Sequence, residues 1–89
     1  MKAVITVTGK DSVGIIAKVA TECARYDANI IDISQSVLSE YFAMIMLADI
    51  DGLKIPFADF VDALSLIGRD RGLDIHVLHE DIFNTMHSF

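Results

Sequence analysis

Ala3, Ile5 and Val7 alternate with Val4, Thr6 and Thr8, the period of two that predicts a strand with one drier face. The period changes after Gly9-Lys10-Asp11-Ser12-Val13-Gly14, and a helix is expected from about Val13 to Tyr26, with Asp11 or Ser12 as its cap. Its apolar stripe reads Ile16, Val19, Ala20 and Cys23, with Lys18, Thr21, Glu22 and Arg25 toward water. Asp27-Ala28-Asn29 closes that helix and leads into a second strand, about Ile30 to Leu38. Ser39-Glu40 reads as a tight hairpin connection to a third β-rich run, Tyr41 to Ile50, which Asp51-Gly52 ends. Pro56 suits the first turn of a second helix, where its missing N–H costs nothing. Phe57, Phe60, Val61, Leu64 and Ile67 form the apolar stripe of that helix, and Gly72 stops it. Leu73 to Leu78 is the fourth strand, and Ile82, Phe83 and Met86 lie at helical spacing in a short closing helix.

The order βαββαβ predicts an α+β fold, the ferredoxin-like sandwich. Right-handed crossovers turn it into a four-stranded antiparallel sheet with two helices on one face and a short C-terminal helix. The third strand, Tyr41-Phe42-Ala43-Met44-Ile45-Met46-Leu47-Ala48, is apolar at both parities, whereas a sheet covered on one side should show a polar alternate face. A second copy of the chain is the expected cover, with the C-terminal helix over part of that face as the other reading.

Residues 1–89 read as one domain, large enough for a single core but small enough that self-association would help it. The net charge of −6 argues against nucleic acid or an anionic membrane surface as partner. No apolar run approaches the ~20 residues that span a bilayer. Met1-Lys2-Ala3-Val4-Ile5 runs straight into the first strand without a signal-peptide pattern, so a cytoplasmic location is expected. The lone Cys23 has no disulfide partner and reads as a small core residue.

The candidate chemistry lies at the first strand-to-helix turn. Amide groups at a helix start have no intrahelical acceptor, so they can receive a carboxylate or other anion. Base stacking on the middle strands would need basic and aromatic residues, and these strands offer Tyr41 and Phe42 beside methionines. A metal chaperone would need paired thiolates in the first loop, and an acylphosphatase-like enzyme an arginine there; the turn carries Lys10. No nucleophile–base pairing is visible and no enzyme is expected. His76, His79 and His87 invite a metal, but positions 76 and 79 face opposite sides of a strand, so neither a metal nor a cofactor is expected.

The chain resembles an ACT domain along its whole length. The resemblance rests on the element order, the turn from Gly9 to Ile16, the segment Ala28-Asn29-Ile30-Ile31-Asp32-Ile33, and the closing Glu80-Asp81-Ile82-Phe83-Asn84-Thr85-Met86-His87. It is similar to small stand-alone ACT proteins of unassigned function and to the ACT halves of the glycine-cleavage regulator. The resemblance implies a regulatory module that binds an amino acid or related metabolite between subunits of a homodimer or higher homo-oligomer. It places the site at Asp11, Ser12, Val13, Gly14 and Ile15, with Asn29 and Ile30 from the second segment. Gly14 would let a ligand carboxylate approach, Val13, Gly14 and Ile15 would donate amides, and Asp11 would cap the helix or hold an ammonium group. Each also has a purely structural reading: Gly14 as a tight turn or packing glycine, Asp11 as a cap, Asn29 as a turn residue. The alternative is a protein-interaction adaptor with no small-molecule effector, which a Met44/Met46 surface would suit.

Overall fold

The computed structural model describes residues 1–10 and 13–86. The elements are β1 (Lys2–Gly9), α1 (Ile15–Arg25), β2 (Asn29–Leu38), β3 (Tyr41–Asp49), α2 (Phe57–Arg71), β4 (Asp74–His79) and α3 (Glu80–Met86). The strands form one antiparallel sheet in the order β2-β3-β1-β4, the ferredoxin-like arrangement the sequence predicts.

One face of the sheet carries the core. Ala3, Ile5 and Val7 of β1, Met44, Met46 and Ala48 of β3, and Ile75 and Val77 of β4 pack beneath Ile15, Val19 and Cys23 of α1 and Phe60 and Leu64 of α2. Of the expected stripe of α1, Val19 and Cys23 are fully buried and Ile16 and Ala20 half-buried, and Ile15, which the sequence did not place there, is fully buried beside them. Gly14 occupies the N-cap, so the helix begins two residues later than the sequence suggests. Met44 and Met46 are fully buried, so they form core and not an adaptable surface.

The second face is covered in part by the chain itself. Helix α3 packs against β1 and β4 there, and Val4 is buried on that side. Toward β3 the face stays open, with Tyr41 and Ile45 exposed. Strand β2 is the bare edge. A bulge at Ile31, between the pairs Ile30↔Ala48 and Asp32↔Leu47, turns Ile33 and Val37 to the helix side. No helix among the described residues covers them: Ile33 is 38% and Val37 71% exposed.

The turns follow local chemistry. The carbonyl of Pro56 accepts the amides of Asp59 and Phe60, so proline caps α2 from just outside the helix. Gly72 leaves α2 in the left-handed region at φ 69°, and the amide of Leu73 donates to the Gly68 carbonyl at 2.8 Å. Asp27, at φ 59°, is the left-handed residue that ends α1, and Asn29 already lies in β2 paired with Asp49. Asn29 is therefore a strand residue, not the turn residue.

Gly68 is where α2 meets β4 most closely. A Cβ there would lie 2.6 Å from the Leu73 carbonyl oxygen and 2.8 Å from Ile75 Cγ1. Gly68→Ala is expected to lose about 1–3 kcal/mol in urea unfolding, although alanine is the better helix former by ~1 kcal/mol. A gain in stability would show that helix and strand can part freely.

Candidate functional site

The first turn opens α1 through Gly14 at φ 72°, ψ 5°, with no side-chain cap. Asp11 and Ser12 lie outside the described residues; the N-cap position itself belongs to Gly14 and not to either of them. A Cβ on Gly14 would meet nothing within 4 Å. The glycine is thus required by the backbone angle, which costs other residues about 1–2 kcal/mol, and not by packing.

Lys18 is the first residue whose amide reaches a helical acceptor, the Gly14 carbonyl at 3.1 Å. The amides of Gly14, Ile15, Ile16 and Ala17 precede it and have no acceptor within the helix. Ile15 is fully buried, so Gly14, Ile16 and Ala17 are the residues of this group that reach the surface. Val13 is 80% exposed, and its carbonyl accepts a hydrogen bond from Arg71 Nη1 at 2.7 Å. A groove of about 480 Å³ runs beside the turn, lined by Gly14, Lys18, Glu22, Ile67 and Arg71 among others. Lys18 and Arg71 place two cations at the positive end of the helix. Lys18 was expected only to face water, and the Arg71 contact joins positions 58 apart and leaves no local trace in the sequence. Lys10 is a surface charge, 3.7 Å from Glu40 and above the Tyr41 ring.

Asn29 and Ile30 lie elsewhere. With Ala20, Ala24, Asp27 and Ala28 they line a separate groove of about 520 Å³. The sheet register fixes the separation: Gly9 pairs with Phe42 at one end, while Lys2 and Asn29 both pair with Asp49 at the other. Helix α1, 11 residues long, joins the two ends and spans roughly 16 Å. The structure therefore brings Val13, Gly14 and Ile15 together and Asn29 and Ile30 together, but does not unite the two groups within one chain.

The ACT domain family matches residues 2–77. The chain is 42% identical over 87 residues to a UPF0237 protein of Listeria monocytogenes, covering 98% of each. It also superposes on an ACT domain protein from Streptococcus pneumoniae with a TM-score of 0.80 and 40% identity, covering 93% of both chains. The chain belongs to the ACT domain family. A structure titled as a putative glycine cleavage system transcriptional repressor is similar over 89% of this chain and 47% of that one, at 25% identity and a TM-score of 0.68. ACT domains are typically regulatory ligand-binding domains.

The histidines of this ACT domain are dispersed over the sheet and the C-terminal end. His76 faces the open side of the sheet, whereas His79 faces the helices and stacks on Phe57 with centroids 4.0 Å apart. His87 lies outside the described residues. Among the described residues no three His, Cys, Asp or Glu side chains cluster to hold a metal, and no helix is long and apolar enough to cross a membrane.

Cys23 sits in the core as expected, and burial pushes its thiol up to about 11 from 9.0, with Glu22 acting in the same direction. The folded state thus disfavours the thiolate, so this contribution to stability is full below about pH 9 and is lost as pH rises toward 11. The α-amino group, raised chiefly by its hydrogen bond to Asp51, acts with the same sign. The melting temperature of the wild type should therefore fall more steeply over that alkaline range than that of Cys23→Ala. A thiol reagent at pH 8 should label the native protein only as fast as it unfolds. Rapid labelling would show the thiol to be accessible.

Proposed function

We propose that this ACT domain is a non-catalytic regulatory module that binds an amino acid or a related small anionic metabolite at an interface between two copies. The observation that carries the reading is the division of the site residues between opposite ends of α1, beside an edge strand left bare. Strand β2 presents exposed Ile31, Ile33, Val37 and Leu38 at an edge of the sheet, where the Ile33 amide donates to Asp32 Oδ1 at 2.9 Å; with that local bond exchanged, the edge is suited to adding another strand. Two-fold antiparallel pairing of β2 with β2 would set the Asn29 end of one copy beside the Leu38 end of the other. Each copy's Asn29–Ile30 would then approach its partner's first turn. A ligand carboxylate would take the backbone around Gly14 and Ile16, and Lys18 and Arg71 would add positive charge there. Asp11 and Ser12, the residues that precede Val13 in the sequence, are proposed as further ligand contacts. Asn29 of the other copy would supply an amide.

The adaptor alternative loses its main support, because the methionines it invoked are buried. The location consistent with the sensor reading is the cytoplasm.

The test is calorimetry and thermal shift on the full chain with each proteinogenic amino acid, alongside sedimentation. At least one is expected to bind at millimolar concentration or tighter and to raise the melting temperature of a dimer. The double variant Ile33→Lys, Val37→Lys should dissociate the dimer and weaken binding by roughly tenfold or more, equivalent to about 1.4 kcal/mol. A monomeric variant that binds as tightly as the wild type would refute the shared site, and no response to any amino acid would refute the sensor.

A further inference from the structure

We infer that the cavity between α3 and the open face of the sheet is a second binding site, suited to a neutral, ring-containing small molecule with one hydrogen-bonding group. The cavity measures about 540 Å³, inside the range of pockets that hold small ligands. Its floor is built by the register. Thr6 pairs with Ile45 on one side and with His76 on the other, so the three form a single row across β3, β1 and β4. Leu78 extends the floor along β4, and Phe83 and Met86 of α3 form the roof.

The lining defines the ligand. None of the six lining residues is Asp, Glu, Lys or Arg, so an ionised ligand would be desolvated there without a counter-charge. The Phe83 ring and the Met86 sulfur favour a flat aromatic body. Among the described residues neither the Thr6 hydroxyl nor the His76 ring has a hydrogen-bond partner, and the two stand side by side as the polar contacts. Ile45 is 47% and Met86 65% exposed, so apolar surface remains for an occupant to cover. Helix α3 stands on β1 and β4, which obstructs flat packing of a second sheet over that half while leaving room for a small molecule. The roof also lies beyond the residues matched by the ACT domain family, which end at 77. This site is separate from the first turn, and its existence is independent of the amino-acid reading.

The experiment titrates the full chain with the neutral fluorophore N-phenyl-1-naphthylamine and follows the bound complex by NMR. Saturable binding of one probe per chain is expected, with shifts confined to Thr6, Ile45, His76, Leu78, Phe83 and Met86. Ile45→Glu, at a half-exposed position, should keep the wild-type circular dichroism and weaken the probe at least tenfold. Met86→Glu, on the roof, serves as a second variant should the first fail to fold. Leu66→Glu, on an exposed apolar residue of α2, should leave binding unchanged. Absence of saturable binding, or equal affinity in the two cavity variants, would overturn the proposal. So would conversion of a dimer to a monomer by Ile45→Glu, since the face would then be covered by another copy.

Discussion

The crossover from β1 to β2 is the constraint on which the rest of this molecule depends. Strand β1 lies inside the sheet, with β3 and β4 as its neighbours. The chain leaving it must therefore return along α1 before β2 can pair with β3. The first turn and the start of β2 are thereby fixed at opposite ends of the domain. No side-chain change brings Gly14 and Asn29 together within one chain, because the helix between them is a rigid spacer. A site that needs both must recruit another molecule, which on the proposed reading pairs along the β2 edge.

The same topology dictates one-sided packing. Two helices cover the faces of β1, β3 and β4, and their fit is close enough that Gly68 and Gly9 cannot carry a side chain beside Leu73 without movement. Strand β2 gains little from this core; nearly all of its residues are exposed. The bulge at Ile31 aligns Ile30, Ile33 and Val37 on the helix side, where α1 reaches only the first of them. Exposed apolar side chains thus concentrate on one edge, the part of the fold with least internal support.

The sequence disclosed the elements, their order and the sheet, because propensity, period and turn chemistry agreed at each step. It was less informative where two signals were nearly equal. In β3 both parities are apolar, so nothing local told whether Met44 or Ile45 faced the core. In α1 the start was placed two residues early, and buried Ile15 left out of the stripe, because a left-handed glycine, not Asp11 or Ser12, occupies the N-cap. The left-handed turn fell to Asp27 where asparagine, two residues on, had the stronger propensity. Half of the candidate site, the turn at Gly14, was legible from its glycines. The approach of Arg71 was not, since α2 and the first turn meet only through tertiary structure.

On the proposed reading, association itself is the signal. A ligand held by Gly14 of one copy and Asn29 of the other finds a complete site only in the dimer, so its binding energy enters the monomer–dimer equilibrium directly. Such a ligand at a hundred times its Kd would favour the assembled state by about 2.7 kcal/mol per site, and two-fold symmetry supplies two sites. The free chains, each with a net charge of −6, repel one another. An apolar edge opposed by like charge gives an association weak enough for a metabolite to tip. A dimer already saturated without ligand would bind just as tightly and report nothing, because only a difference in affinity between states moves an equilibrium.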